Sequence, residues 1–109
     1  MSLTVRVEQL ATGIVELSPV GEMDLETAHE VRDAINAVLN AQRPTEIQLN
    51  MRAVKFIDSV GISVLVAGFQ AANVSGARLS VTQPSANVHR QLYVTGLHGL
   101  FGAPEPALA

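Results

Sequence analysis

Hydrophobic and polar residues alternate along the first twenty positions in the manner of two β-strands. Leu3, Val5 and Val7 alternate with polar neighbours, which is the period of a half-buried strand. Gly13 then opens a second apolar run that reaches Val20. Because the two runs follow each other directly along the chain, the pattern predicts a β-hairpin.

Helical spacing begins after Asp24, a residue type that favours the N-cap position. Apolar residues then recur every three or four positions until Pro44, which cannot continue a helix. The pattern predicts a helix of about four turns. Its buried face is expected to consist of Ala28, Val31, Ile35, Val38 and Leu39.

A strand pattern follows and leads into a tight turn. The apolar run over residues 45–57 is interpreted as one strand, and it ends abruptly at residues 58–61, Asp-Ser-Val-Gly. Helical spacing resumes at Ile62, and Gly76 is placed to stop this second helix. The expected buried positions of the second helix are Ile62, Leu65, Val66 and Phe69.

The last third predicts a strand over residues 78–83 and a short third helix capped by Ser85 and ended by Gly96. Residues 100–101 are expected to add a last short strand, and the proline-rich residues 103–109 to form a frayed tail. This order predicts an α/β fold. We expect a single domain over residues 1–102, with a small mixed sheet of four to five strands and its helices mainly on one face.

Composition narrows the range of chemistry. The chain has 109 residues, of which 48% are hydrophobic, a size typical of a single domain. It has no cysteine, and its three histidines show no metal-ligand spacing, so we expect no metal site and no cofactor. The net charge is −3 and no basic cluster occurs, which disfavours nucleic-acid binding.

The uncharged segment from Ser59 to Ala77 is long enough to span a membrane, but polar residues interrupt it. We therefore interpret it as a buried helix of a soluble protein. The N-terminus lacks the charged-then-apolar plan of a signal peptide, so the expected location is the cytoplasm.

Ser59 lies where a strand gives way to a helix, and three interpretations are open. Asp58 or Ser59 is simply the N-cap of the helix; or Ser59 is a catalytic nucleophile; or Ser59 is a phosphorylation switch. The nucleophile is disfavoured because Ile57 replaces the first glycine of a Gly-x-Ser-x-Gly elbow. A phosphate on Ser59 would gain from the helix N-terminus, and its charge and bulk would disturb a partner packed against this turn.

Three segments resemble the STAS domain family, and within it the bacterial anti-sigma factor antagonists. They are GEMDL at residues 21–25, IQLNM at residues 47–51 and above all VKFIDSVGI at residues 54–62. The similarity runs from about Val5 to Gly102. The resemblance implies the fold predicted above, and it implies a regulatory protein rather than an enzyme.

The mechanism that the resemblance implies is partner switching. The unphosphorylated antagonist binds an anti-sigma factor kinase of the histidine-kinase-like ATPase type and thereby frees a sigma factor. The kinase phosphorylates the serine that matches Ser59, and a PP2C-type phosphatase resets the switch. Asp24 and Asp58 match acidic positions that the family keeps near the phosphoacceptor. The residues expected to bind the partner are Asp24, Asp58, Ser59, Val60, Gly61, Ile62 and Ser63.

The sequence departs from the family where Val60 replaces a second serine that many members have after the phosphoacceptor. Ser63, one helical turn further on, is either a second acceptor or a small packing residue. Two alternatives to the antagonist stay open: a STAS scaffold subunit of a stress-sensing complex, which would self-associate, and a separate STAS subunit of a lipid or anion transport system. A homodimer and a ligand phosphate at the helix N-terminus are also kept as alternatives.

Overall fold

The computed structural model describes residues 2–102 and contains five strands and three helices. In chain order these are β1 (Leu3–Ala11), β2 (Ile14–Met23), α1 (Ala28–Gln42), β3 (Glu46–Asn50), β4 (Val54–Ile57), α2 (Ser59–Val74), β5 (Arg78–Thr82) and α3 (Ala86–Val94). The predicted α/β class and the mixed sheet are confirmed.

All five strands belong to one sheet. β1 is antiparallel to β2, as the hairpin pattern predicted, while β3 and β4 both run parallel to β2, and β5 runs parallel to β3. One face is apolar and lies under the helices, with Val15, Leu17 and Leu49 almost fully buried there. The residues between them, such as Glu16 and Gln48, are polar and partly exposed on the other face.

The prediction of one strand over residues 45–57 is wrong, because a turn divides it into β3 and β4. Val54 donates its N–H to the Met51 carbonyl across this turn, at 3.2 Å. β3 pairs with the first half of β2 and β4 with its last residues. Pro19 lies between these two halves and has no N–H to leave unpaired. Because apolar residues occur on both sides of the turn, the hydrophobic pattern alone does not reveal it.

Helix α1 begins at Ala28, four residues after the predicted N-cap. Thr27 occupies the N-cap position and makes no capping hydrogen bond with its side chain. Asp24 instead organises the turn that precedes the helix. The predicted buried face is confirmed in full, since α1 buries Ala28, Val31, Ile35, Val38 and Leu39.

Helix α2 is packed tightly against α1 and the sheet. Leu65 is completely buried, whereas Ile62, Val66 and Phe69 are only partly buried against the core. A β-carbon on Gly68 would lie 2.8 Å from Ile35 Cδ1, so the two helices approach closely at this point. Gly76 follows the helix with a φ of 77°, which confirms the predicted stop.

The C-terminal part confirms the third helix and corrects the last strand. Ser85 caps α3 by accepting a hydrogen bond from Val88 N–H. Residues 100–101 form a turn rather than a strand, although the Phe101 carbonyl accepts a hydrogen bond from Val81 at 2.9 Å. The Phe101 ring is fully buried and packs edge-on against Phe69. The predicted tail, residues 103–109, lies outside the described residues.

The question of a membrane span can be answered for residues 2–102. None of the helices in this part of the chain combines the length and the apolar character needed to cross a bilayer. The uncharged segment from Ser59 onwards forms α2, which is 16 residues long.

Candidate functional site

Ser59 lies where β4 and β2 end side by side. Met23 is paired with Ile57 in parallel register, and Asp58 donates its N–H to the Met23 carbonyl at 3.1 Å. The turn that follows β2 at Asp24 and the turn that follows β4 at Asp58 therefore emerge at the same edge of the sheet. The fold brings together the two acidic positions and the serine that the sequence singled out.

Asp58 is the N-cap of α2, and Ser59 is the first helical residue. One carboxylate oxygen of Asp58 accepts a hydrogen bond from Gly61 N–H at 2.9 Å, and its carbonyl accepts one from Ile62 N–H. Asp58, and not Ser59, therefore caps the N-terminus of α2. The Ser59 side chain is exposed, and its hydroxyl makes no hydrogen bond to any residue in the range 2–102.

Gly61 sets how closely the first turn of α2 approaches the strands. It is buried, and a β-carbon at this position would stand 2.6 Å from Ile57 Cγ1 and 2.9 Å from the Met23 carbonyl oxygen. A side chain here would push the helix away from the sheet. Glycine therefore fixes the position of Ser59 relative to the turn at Asp24.

Ser63 is also exposed, but its hydroxyl is engaged. It donates a hydrogen bond to the Ser59 carbonyl at 2.9 Å, one helical turn earlier. Of the remaining predicted site residues, Val60 is partly buried, and Ile62 is partly buried against the core. The two serines thus differ in chemistry, because only the Ser59 hydroxyl lacks an internal partner within residues 2–102.

The Asp24 carboxylate is held by three hydrogen bonds. They come from the backbone N–H of Glu26 at 2.9 Å, from the backbone N–H of Thr27 at 3.1 Å and from the Thr27 hydroxyl at 3.1 Å. Desolvation on its own raises the pKa of this carboxyl, but the hydrogen bonds favour the ionised form more strongly, so the net pKa of Asp24 lies below its ordinary value. Asp24 is a fixed negative charge beside the Ser59 turn.

Two residues of this region were not identified from the sequence. Leu25 follows Asp24 directly and is 75% exposed, the second most exposed large hydrophobic residue in the described chain. Its spacing to Ala28 matches the buried stripe of α1, so apolar spacing alone predicts a buried residue at this position. Asn87 in α3 accepts a hydrogen bond from Ile57 N–H at 3.1 Å and so holds the end of β4. No feature of the sequence pointed to that contact.

The arrangement is suited to recognition and modification. An exposed hydroxyl lies at the N-terminus of a helix, where backbone N–H groups and the helix dipole favour a phosphate. Two carboxylates and an exposed leucine lie at the same edge of the sheet. No group of three or more His, Asp or Glu residues within residues 2–102 is arranged to hold a metal ion.

Comparison with known proteins identifies relatives over nearly the whole chain. The STAS domain family model matches residues 7–108. The anti-sigma-F factor antagonist RsfB of Mycobacterium tuberculosis is 33% identical over 100 residues, which cover 92% of this chain and 80% of the relative.

Solved structures of anti-sigma factor antagonists superpose on this chain. An anti-sigma factor antagonist from Mycobacterium paratuberculosis superposes with a TM-score of 0.82 at 31% identity, over 98% of this chain and 88% of that one. The antagonist SpoIIAA has the same fold. Its unphosphorylated form gives a TM-score of 0.78 at 20% identity, over 95% of this chain and 89% of that one. The phosphorylated form from Bacillus gives 0.72 at 19% identity, over 95% of this chain and 92% of that one.

Proposed function

Because the chain belongs to the STAS domain family and is similar to anti-sigma factor antagonists, we propose that it is itself such an antagonist. In its unphosphorylated form it binds an anti-sigma factor that is also a serine kinase with a histidine-kinase-like ATPase fold, and this releases a sigma factor. Phosphorylation of Ser59 ends the binding. A PP2C-type phosphatase removes the phosphate, and the exchange takes place in the cytoplasm.

The observation that carries the proposal is the state of the Ser59 hydroxyl. Asp58 caps the helix, so the Ser59 hydroxyl is not needed for capping. The Ser59 side chain is exposed and has no hydrogen-bond partner within residues 2–102. A kinase can therefore reach it without unfolding the turn. Ser63 supports the assignment by contrast, because its hydroxyl is bound to the helix backbone.

Electrostatics explains how one phosphate would reverse binding. A phosphoserine adds about −1.5 to −2 charges at neutral pH. The helix N-terminus tolerates this charge, so the fold is expected to survive. Asp58 and Asp24 already place two carboxylates at this edge. A partner complementary to the unmodified turn would then face a strongly negative and bulkier surface, and binding would be lost.

Leu25 completes the proposed docking surface. Exposed apolar residues that lie among charged neighbours are typical anchors of protein interfaces. Leu25 is 75% exposed between Asp24 and Glu26, at the same edge of the sheet as Ser59. We assign it the role of an apolar anchor beside the phosphoacceptor. The other partner-binding residues of this surface are Asp24, Asp58, Val60, Gly61, Ile62 and Ser63.

The test compares four forms of the tagged chain as bait in extracts of the source cells: wild type, Ser59→Ala, Ser59→Asp and Gln70→Glu. Mass spectrometry identifies what each form captures. We expect wild type, Ser59→Ala and Gln70→Glu to capture a kinase-like ATPase and Ser59→Asp to lose it. Gln70→Glu is the matched control, because it adds the same charge at an exposed position of the same helix, outside the proposed docking surface.

A second step uses the captured kinase, purified, with ATP. Phosphate is expected on wild type and Gln70→Glu, with the modified peptide containing Ser59, and none on Ser59→Ala. Equal capture by all four forms would exclude a switch at Ser59. Capture of transporter or scaffold subunits in place of a kinase would favour the other STAS functions.

A further inference from the structure

The outer edge of β1 pairs with no other strand of residues 2–102. β1 is nine residues long and stands at the end of the strand order β1-β2-β3-β5. Long exposed edges are templates for pairing with another strand, and natural proteins usually protect them. Residues 6–11 of this strand are all exposed, including the apolar Val7 and Leu10 at 52% and 46%. We propose that the β1 edge pairs antiparallel with the β1 edge of a second copy of this chain.

The backbone defines which groups face outward. Gly21 donates its N–H to Ala53, away from β1, so the cross-strand pair Leu3–Gly21 is of the non-hydrogen-bonded kind. The N–H and C=O groups of Leu3 therefore point to the free edge. Because the direction alternates along a strand, the same holds for Val5, Val7 and Gln9.

These outward groups fit a two-fold axis through Val7. In that register Val7 pairs with Val7 of the second copy, and Val5 pairs with Gln9. All of these positions direct their N–H and C=O groups across the edge, so each forms a hydrogen-bonded pair. The two sheets would become one continuous sheet.

Charge selects this register over its neighbours. With the axis at Val7, Arg6 of each copy stands opposite Glu8 of the other, in the pair type that brings side chains closest. Moving the axis to Arg6 or to Glu8 would place like charges opposite each other. Neither residue forms an ion pair within residues 2–102. Glu8 also faces Glu16 within its own sheet, so a cation from a second copy would relieve that repulsion.

The inferred interface is separate from the proposed kinase surface. It uses β1, whereas Ser59 lies at the junction of β4 and α2. A failure of one proposal therefore leaves the other standing. The dimer is isologous, and its occupant is a second copy because the strand's own sequence supplies the matching order of charges.

The first test is a charge swap followed by sedimentation equilibrium of the purified chain at low and high concentration. We expect a reversible dimer for wild type. Arg6→Glu and Glu8→Arg should each weaken it about tenfold or more, because two attractive pairs become repulsive. The double variant carries both substitutions and restores opposite charges, so it should dimerise again. A chain that is monomeric at every concentration, or a double variant no better than the single ones, would overturn the proposal.

The second test measures the register directly. The chain contains no cysteine, so a single introduced thiol reports without background. In the inferred register the two copies of residue 7 have Cα atoms about 5.5 Å apart, within reach of a disulfide. Val7→Cys should therefore form a covalent dimer under mild oxidation. Leu10→Cys is the control of similar exposure, because its two copies would lie about 20 Å apart. Equal cross-linking at both positions would contradict the register.

Discussion

Gly61 packs so closely on Met23 that a β-carbon at position 61 would stand 2.9 Å from the Met23 carbonyl oxygen. The obstacle is backbone, which cannot rotate away. We expect Gly61→Ala to lower the free energy of unfolding by about 1–3 kcal/mol, the usual range for overpacking a tight site. Chemical denaturation measures this change.

The control for this substitution is Gly99→Ala. A β-carbon at Gly99 meets nothing within 4 Å. Stability should therefore be nearly unchanged in that variant. If both variants unfold at the same denaturant concentration as wild type, the close contact between α2 and β2 does not constrain the site.

Asp58 supplies both a capping oxygen and a negative charge, and substitutions can separate these two contributions to stability. Asp58→Ala removes the N-cap of α2 and should cost about 1 kcal/mol of stability. Asp58→Ser keeps a capping oxygen and removes only the charge, so it should stay within about 0.5 kcal/mol of wild type. Denaturation curves of both variants check this. A loss as large in the serine variant as in the alanine variant would mean that the carboxylate charge, and not the cap, supports the helix.

Stability is expected to depend on pH through Asp24. The folded pKa of Asp24 lies below its ordinary value, so the folded state favours the carboxylate. That contribution is complete above the ordinary aspartate pKa of about 4 and is lost as the pH falls through the folded value. The stability difference between wild type and Asp24→Asn should therefore shrink when the pH is lowered below about 4.

The pH experiment needs a charge-matched reference. Asp33→Asn makes the same change in net charge on the exposed face of α1, where Asp33 contacts Arg32. Thermal unfolding of both variants at neutral and acidic pH separates a local effect at Asp24 from a general effect of net charge. A pH-independent difference for Asp24→Asn would show that its hydrogen bonds do not favour the ionised form.

Leu25 is expected to matter for binding and not for folding. Leu25→Ser removes a 75% exposed side chain, so stability should change by less than about 0.5 kcal/mol. Affinity for the captured kinase should fall about tenfold or more if Leu25 is an anchor. Val74→Ser is the matched control, because Val74 is 90% exposed at the far end of α2. Titration calorimetry distinguishes the two, and equal affinities would remove Leu25 from the interface.

The spacing of apolar residues predicted the buried faces of the elements well, because that spacing reflects which side of an element packs against the core. The five buried positions of α1 follow from apolar spacing alone. The cap at Ser85 follows from residue type and position, and the cap at Asp58 is one of the two candidates, Asp58 and Ser59, that the sequence left open. Each of these predictions depends on neighbours within one turn of the chain.

The errors over residues 45–57 and 100–101 arise from contacts between residues far apart in sequence, whereas the one at Leu25 arises from the local turn at Asp24. Whether residues 45–57 form one strand or two is decided by how β2 divides its edge between two partners. Leu25 continues the apolar spacing of α1, yet the Asp24 turn places it outside the helix. The last strand is replaced by a turn, in which Phe101 buries its ring in the core.

The division of the β2 edge between β3 and β4 affects which part of the sheet opens first by local unfolding. β4 is only four residues long and pairs with the last three residues of β2, while the longer β1 runs along the other side. Amide hydrogens of β4 should therefore exchange with solvent sooner than those in the centre of β2, because a short, terminal ladder opens at lower cost than the whole sheet. Opening of β4 and of its contact with Asn87 would therefore leave the rest of the sheet folded. The edge that carries Ser59 can move locally while the domain keeps its global stability.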